Sequence, residues 1–129
     1  MAKRFLTLDE IIAIHADLIE RYGGSAGIRD LNLLQSAIAM PAAGFGDTHL
    51  HADLFEMAAA YLFHIVQNHP FTDGKKRTGA MVAFTFLKMN GFILTAEDRK
   101  LEELILAVAH GKKGKASVAE LFRENTRKG

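Results

Sequence analysis

A chain of 129 residues with 49% hydrophobic side chains can fill one core, so a single domain over residues 1–129 is expected. Lys and Arg total 16 against 15 Asp and Glu, a formal net charge of +1; no overall field draws in nucleic acid or an anionic membrane, and any charge-driven function must be local. Without cysteine there is no disulfide or thiolate chemistry, and with no apolar run of the ~20 residues that span a bilayer and no signal-like start, the cytoplasm is the expected location.

Thr7-Leu8-Asp9-Glu10 has capping-box spacing and predicts a helix start. Leu8, Ile11, Ile12, His15, Leu18, Ile19 and Tyr22 then recur on one helical face until Gly23-Gly24 ends the run, and His15 on that stripe is expected to pack in the core. Asp30 can cap a second helix carrying Leu31, Leu34, Ala37 and Ile38, which Met40-Pro41 closes. The stretch from Pro41 to His51 is expected as a loop, with His49 and His51 solvated.

From Asp53, which has capping-box spacing to Glu56, apolar residues at Leu54, Phe55, 57–63, Ile65 and Val66 cover nearly a whole helix circumference and predict a central, buried helix. His69, before Pro70, sets its far end. A second largely apolar helix is expected over roughly Lys75 to Asn90, stopped by Asn90-Gly91. Phe92-Ile93-Leu94 suits a short extended piece, Thr95-Ala96-Glu97-Asp98 a cap for a fifth helix ending at Gly111, and Ser117 to Glu120 the start of a last one. Met57, Met81 and Met89 are expected as core filling, and Lys112, Lys113, Lys115, Arg123, Arg127 and Lys128 as a soluble basic surface.

Between the two apolar helices lies His69-Pro70-Phe71-Thr72-Asp73-Gly74-Lys75-Lys76-Arg77-Thr78-Gly79. Phosphate transfer is mostly geometry plus charge, and it needs a metal carboxylate, anion-binding amides, cations and a base. Gly74 can turn the following amides inward at a helix start, where the dipole favours an anion. Lys75, Lys76 and Arg77 add cations, Asp73 is a hard oxygen ligand suited to magnesium, and His69 is the candidate base. Phe71, between polar neighbours, is expected to anchor the loop in the core. Taken alone, a glycine before three basic residues is better explained by a solvated helix end. The pattern is not a Walker-type loop, since Lys76 stands where that motif has Ser or Thr. His64 and His69 do not share the i,i+4 face of zinc helices.

His69–Gly79 nevertheless resembles the Fic/Doc signature, whose Fic form runs His-Pro-Phe-x-Asp/Glu-Gly-Asn-Gly-Arg-x-x-Arg and whose Doc form has Asn-Lys-Arg and lacks the last Arg. Tyr22-Gly23-Gly24, Gly27-Ile28-Arg29-Asp30, Leu33-Leu34-Gln35-Ser36-Ala37 and Phe86-Leu87-Lys88-Met89-Asn90-Gly91 are also similar to Doc-type members. The resemblance implies an all-α, compact bundle of about six helices with a central buried helix pair joined by the motif loop. It implies His69 as general base, Asp73 as magnesium ligand, Gly74 and the amides after it as the anion cradle, and Lys76 and Arg77 as contacts to nucleotide phosphates. Lys76 in place of Gly and Ala80 in place of the final Arg point to the Doc type, hence to a protein kinase using ATP and Mg2+. Its implied target is a translation-machinery protein, elongation factor Tu. The alternatives are a Fic-type AMP transferase and a weakened homologue that only binds antitoxin. Lys75 stands where both subfamilies usually carry Asn, and Lys can only donate; added phosphate attraction and a distorted cradle both remain open. No Ser or Thr is followed by Glu at the fourth position after it, so the internal inhibitory helix of many Fic proteins has no counterpart. The resemblance implies restraint in trans, by a Phd-like antitoxin whose C-terminal helix lies in a groove near the site.

Overall fold

A computed structural model of the chain describes residues 3–45, 48–49, 51, 53–68 and 70–129. Six α-helices carry most of it: α1 (Leu8–Tyr22), α2 (Leu31–Ala39), α3 (Leu54–Asn68), α4 (Lys75–Met89), α5 (Asp98–Ala109) and α6 (Lys115–Glu124). Two short antiparallel pairs join them, β1 (Gly44–Phe45) with β2 (Thr48–His49) and β3 (Phe92–Leu94) with β4 (Thr126–Lys128). The helical class and the helix count agree with the expectation.

Local chemistry explains most boundaries. Thr7 Oγ1 accepts from the Glu10 amide at 3.2 Å while the Glu10 carboxylate accepts from the Thr7 amide at 2.9 Å, so the capping box closes both ways. Asp30 and Asp53 cap α2 and α3 by accepting from the amides of Leu33 and Glu56 at 3.1 and 2.8 Å. Pro41 is carried in a 3-10 turn, Met40–Ala42, that extends α2 by tighter winding before the chain leaves it.

The core is built around α3. Met57, Tyr61, Leu62, Ile65 and Val66 are all fully buried, and Ala58, Ala59 and Ala60 let neighbours approach closely. α2, α4 and α6 pack around it. On α4, Val82, Ala83, Phe86 and Leu87 face α3; on α6, Val118, Ala119 and Phe122 do. Burying each of the larger side chains stabilises the fold by about 1.5–3 kcal/mol. Gly79 lets α4 lie close against α3, since a Cβ there would lie 3.2 Å from Val66 Cγ2 and 3.4 Å from the Leu62 carbonyl.

Several expectations need correction. α4 is buried on one face only, and Met81 is 40% exposed, because α4 has α3 on one side and an open groove on the other. Thr95 does not cap α5: its amide donates to the Asn125 carbonyl, and Glu97 takes the cap position without a side-chain bond. No strand is expected from the sequence after α6, where β4 pairs with β3 and ties the C-terminal residues to the end of α4. The expected loop after Pro41 contains the β1–β2 pairing, through residue types such as Phe45 and Thr48 that favour extended backbone. His51 is buried at 6% exposure, with its Nε2 3.3 Å from the Lys115 Nζ. The His49 side chain and all of His69 lie outside the described residues.

Candidate active site

The segment between α3 and α4 is held in place by main-chain bonding to residues 27–30. The Thr72 amide donates to the Gly27 carbonyl at 2.9 Å, and the amides of Arg29 and Asp30 donate to the Pro70 carbonyl at 2.8 and 3.2 Å. Ile28 and Phe71 face each other across this bridge. Since Asp30 also caps α2, the loop is registered against a helix start. Phe71 is buried, as expected, and lies flat on the His15 ring with centroids 3.8 Å apart and planes 7° from parallel.

Asp73 then projects its carboxylate outward. Oδ1 accepts from the Gly74 amide at 3.2 Å and Oδ2 from the Ser25 amide at 3.3 Å, both long bonds to an exposed group. Its backbone carbonyl points inward and accepts from His15 Nε2 at 2.8 Å. Gly74 caps α4 with φ 76° and ψ 16°, left-handed geometry that glycine adopts without strain. A side chain there would also crowd Ile19, whose Cδ1 would lie 3.1 Å from a Cβ.

α4 therefore begins with no side-chain cap and no acidic residue in its first turn, and carries Lys75, Lys76 and Arg77 instead. Helix dipoles disfavour cations at this end and favour anions, so the start of α4 is suited to an anion in front of it. Burial, then the charges of Lys76 and Arg29, hold the Lys75 ammonium below the usual lysine range. Arg29 is thus a fourth cation of the site: its Nη2 donates to the Asn68 carbonyl at 3.1 Å, at the end of α3. Sequence reasoning gave Arg29 no role, although it sits in a segment already noted as similar to Doc-type members. The Arg77 guanidinium rests over the Tyr22 ring, 4.5 Å from its centroid. Tyr22 was expected on the buried stripe of α1 and is 60% exposed, because it lies at the helix end beside this cation.

Lys76, Arg77 and Ala80 border a groove of about 660 Å³ between α1, α4 and α5. Leu18, Met81, Phe84, Ile105 and Leu106 give it apolar walls. Of the motif residues, Lys76 and Arg77 reach the groove, while Asp73, Gly74 and Lys75 stand just before them at the start of α4.

The donor set fits a magnesium-bound nucleotide. Asp73 offers hard carboxylate oxygens beside a helix start that favours phosphate. Among the described residues no three His, Cys, Asp or Glu side chains converge as a metal cage, so a metal here would rest on Asp73 and on oxygens from phosphate and water.

A family model described as Fic/DOC family matches residues 5–87. The chain is 33% identical over 120 residues to the protein named Protein kinase doc from Escherichia phage P1, covering 93% of this chain and 94% of that one. It is 40% identical over 76 residues to the protein named Toxin Doc from Mycolicibacterium smegmatis, covering 59% of this chain and 58% of that one.

Proposed function

Because this chain belongs to the Fic/Doc family and is of its Doc type, we propose that it is a growth-inhibiting toxin that acts in the cytoplasm as a magnesium- and ATP-dependent protein kinase. The observation that carries this reading is the start of α4: a left-handed Gly74, an outward Asp73 carboxylate and three cations with no acid in the first turn. Gly74 and the amides after it form the anion cradle, Lys76 and Arg77 hold the outer phosphates, and Lys75 and Arg29 add to the positive field. Asp73 holds magnesium, which when bound neutralises charge on the transferring phosphoryl group. His69 takes the proton of the target hydroxyl as its oxygen bonds to the γ-phosphorus and ADP leaves. The target class is a translation factor, with elongation factor Tu the candidate that the resemblance implies.

Kinase chemistry is favoured over AMP transfer by Lys76 and Ala80. A methyl group at position 80 on the groove edge cannot orient a nucleotide as an arginine does. Mass spectrometry of elongation factor Tu after incubation with Mg·ATP tests this: a phosphate increment, abolished by His69→Ala, is expected. A nucleotide increment would move the assignment to AMP transfer, and no modification would leave only antitoxin binding.

The groove supports restraint in trans. Tyr22, Met81 and Leu106, exposed at 60, 40 and 45%, line it together. An amphipathic C-terminal helix of a Phd-like antitoxin would cover them and stand against Lys76 and Arg77. Leu106→Glu should keep transferase activity and escape the antitoxin in a pull-down with the neighbouring gene's product.

A further inference from the structure

A trans peptide points its C=O and its N–H in opposite directions. The Asp73–Gly74 peptide is trans, its carbonyl is directed into the core, and its N–H lies on the carboxylate side, where Asp73 Oδ1 accepts it at 3.2 Å. Glycine tolerates either sign of φ, so nothing in Gly74 itself prevents this peptide from turning over and withdrawing its N–H from the cradle. The restraint comes from α1. His15 is 2% exposed, its ring is clamped flat on Phe71, and its Nε2 lies 2.8 Å from the Asp73 carbonyl oxygen. A carbonyl can only accept, so Nε2 carries the hydrogen.

We propose that His15 is a positioning residue of the site: its buried Nε2–H pins the Asp73–Gly74 peptide so that the Gly74 amide stays on the site side, where its long bond to Asp73 Oδ1 is exchanged for one to an incoming phosphate oxygen. This rests on the phosphate reading given above and adds a residue to it that lies far from the motif in sequence. A purely structural histidine would stabilise the loop without setting the affinity of the amide that follows.

The test combines wild type, His15→Phe and His15→Gln. Phe keeps the flat ring on Phe71 and removes the donor; Gln places an amide N–H near the position of Nε2. In wild type, nitrogen NMR should show His15 protonated at Nε2, and the Gly74 amide resonance should shift on titration with Mg·ATP. His15→Phe should melt within a few degrees of wild type, lose the Gly74 response and bind Mg·ATP about tenfold more weakly, the loss of roughly one hydrogen bond to a charged group. His15→Gln should recover most of that affinity. A His15→Phe protein that binds as tightly as wild type overturns the proposal, and so does a wild-type His15 protonated only at Nδ1. If His15→Phe does not fold, His15→Gln decides: affinity near wild type is the expected result, and a tenfold loss in a folded His15→Gln protein overturns it. A wild-type chain with the expected tautomer that binds no Mg·ATP sinks the phosphate reading itself, and the role of His15 with it.

Discussion

Two charged regions behave in opposite ways. In the last turn of α6, Arg123 reaches Asp53 at 2.9 Å and Glu56 and Glu120 at 3.5 Å each. These partners hold its guanidinium above the ordinary arginine value, the Asp53 hydrogen bond most of all. Burial alone would push the Asp53 carboxyl up, but the Glu56 amide and Arg123 outweigh it and keep the carboxyl below its usual range. At the start of α4, by contrast, the first turn has no acid, and Arg77 leans on an aromatic ring beside an open groove. A cation surrounded by carboxylates fastens helices together, whereas cations gathered at the positive end of a helix are suited to an anion from outside.

The comparison can be broken most sharply at Asp73. Asp73→Ala should lower phosphate transfer by at least ~10²-fold while shifting the melting temperature little, since its own bonds are long and exposed. Transfer of labelled phosphate measured beside a thermal melt checks it; retained activity would mean that no metal depends on this carboxylate. Next come two arginine truncations. Arg77→Ala should weaken Mg·ATP about tenfold with little change in stability. Arg123→Ala should leave nucleotide binding alone and cost less than about 1 kcal/mol of stability. Calorimetric titration and chemical denaturation of both variants would expose any exchange of these roles.

A third basic residue sharpens the contrast through pH. Lys115 Nζ lies 3.2 Å from His64 Nε2 and 3.3 Å from His51 Nε2, so its partners are neutral imidazoles. Burial, then the charges of Lys115 and His51, push His64 from the ordinary 6.5 down to about 4. Between those values the unfolded chain binds the extra proton and the folded chain does not, so stability rises with pH across this window. The melting temperature should be level above pH 6.5, fall as pH drops toward about 4, and fall less in His64→Gln. A melting profile unchanged by His64→Gln would remove the histidine from the explanation. The smallest effect is expected for Lys75→Asn, which removes a cation from the positive end of α4. Stability should rise by about 0.3–1 kcal/mol with phosphate transfer retained. A large gain in transfer rate would instead identify Lys75 as a lesion in the cradle.

The helix starts at Thr7, Asp30 and Asp53 were legible because caps are contacts within one turn, fixed by spacing alone. The motif from Asp73 to Arg77 was legible for the same reason, with five neighbouring residues at a single helix start. Tyr22 and Met81 were misplaced because periodicity tells which side chains share a face, and not what covers that face; His51 was misplaced because the residue that meets it, Lys115, is distant in sequence. Arg29 and His15 were missed as parts of the site because their partners, Asn68, Phe71 and Asp73, are distant in sequence and are met through carbonyls and rings that carry no side-chain signature.

By itself the sequence determined the helical class, the order of the helices and which charged residues stand together at the start of α4, all of which follow from neighbours along the chain. Tertiary structure alone decided which cations are neutralised and which are left facing a groove. It also decided which way the Asp73–Gly74 peptide points, since that depends on a hydrogen bond from α1. The physical reason is range: propensity and capping act within a few residues, whereas charge pairing, burial and the orientation of a flexible glycine peptide are set by whatever the fold brings alongside.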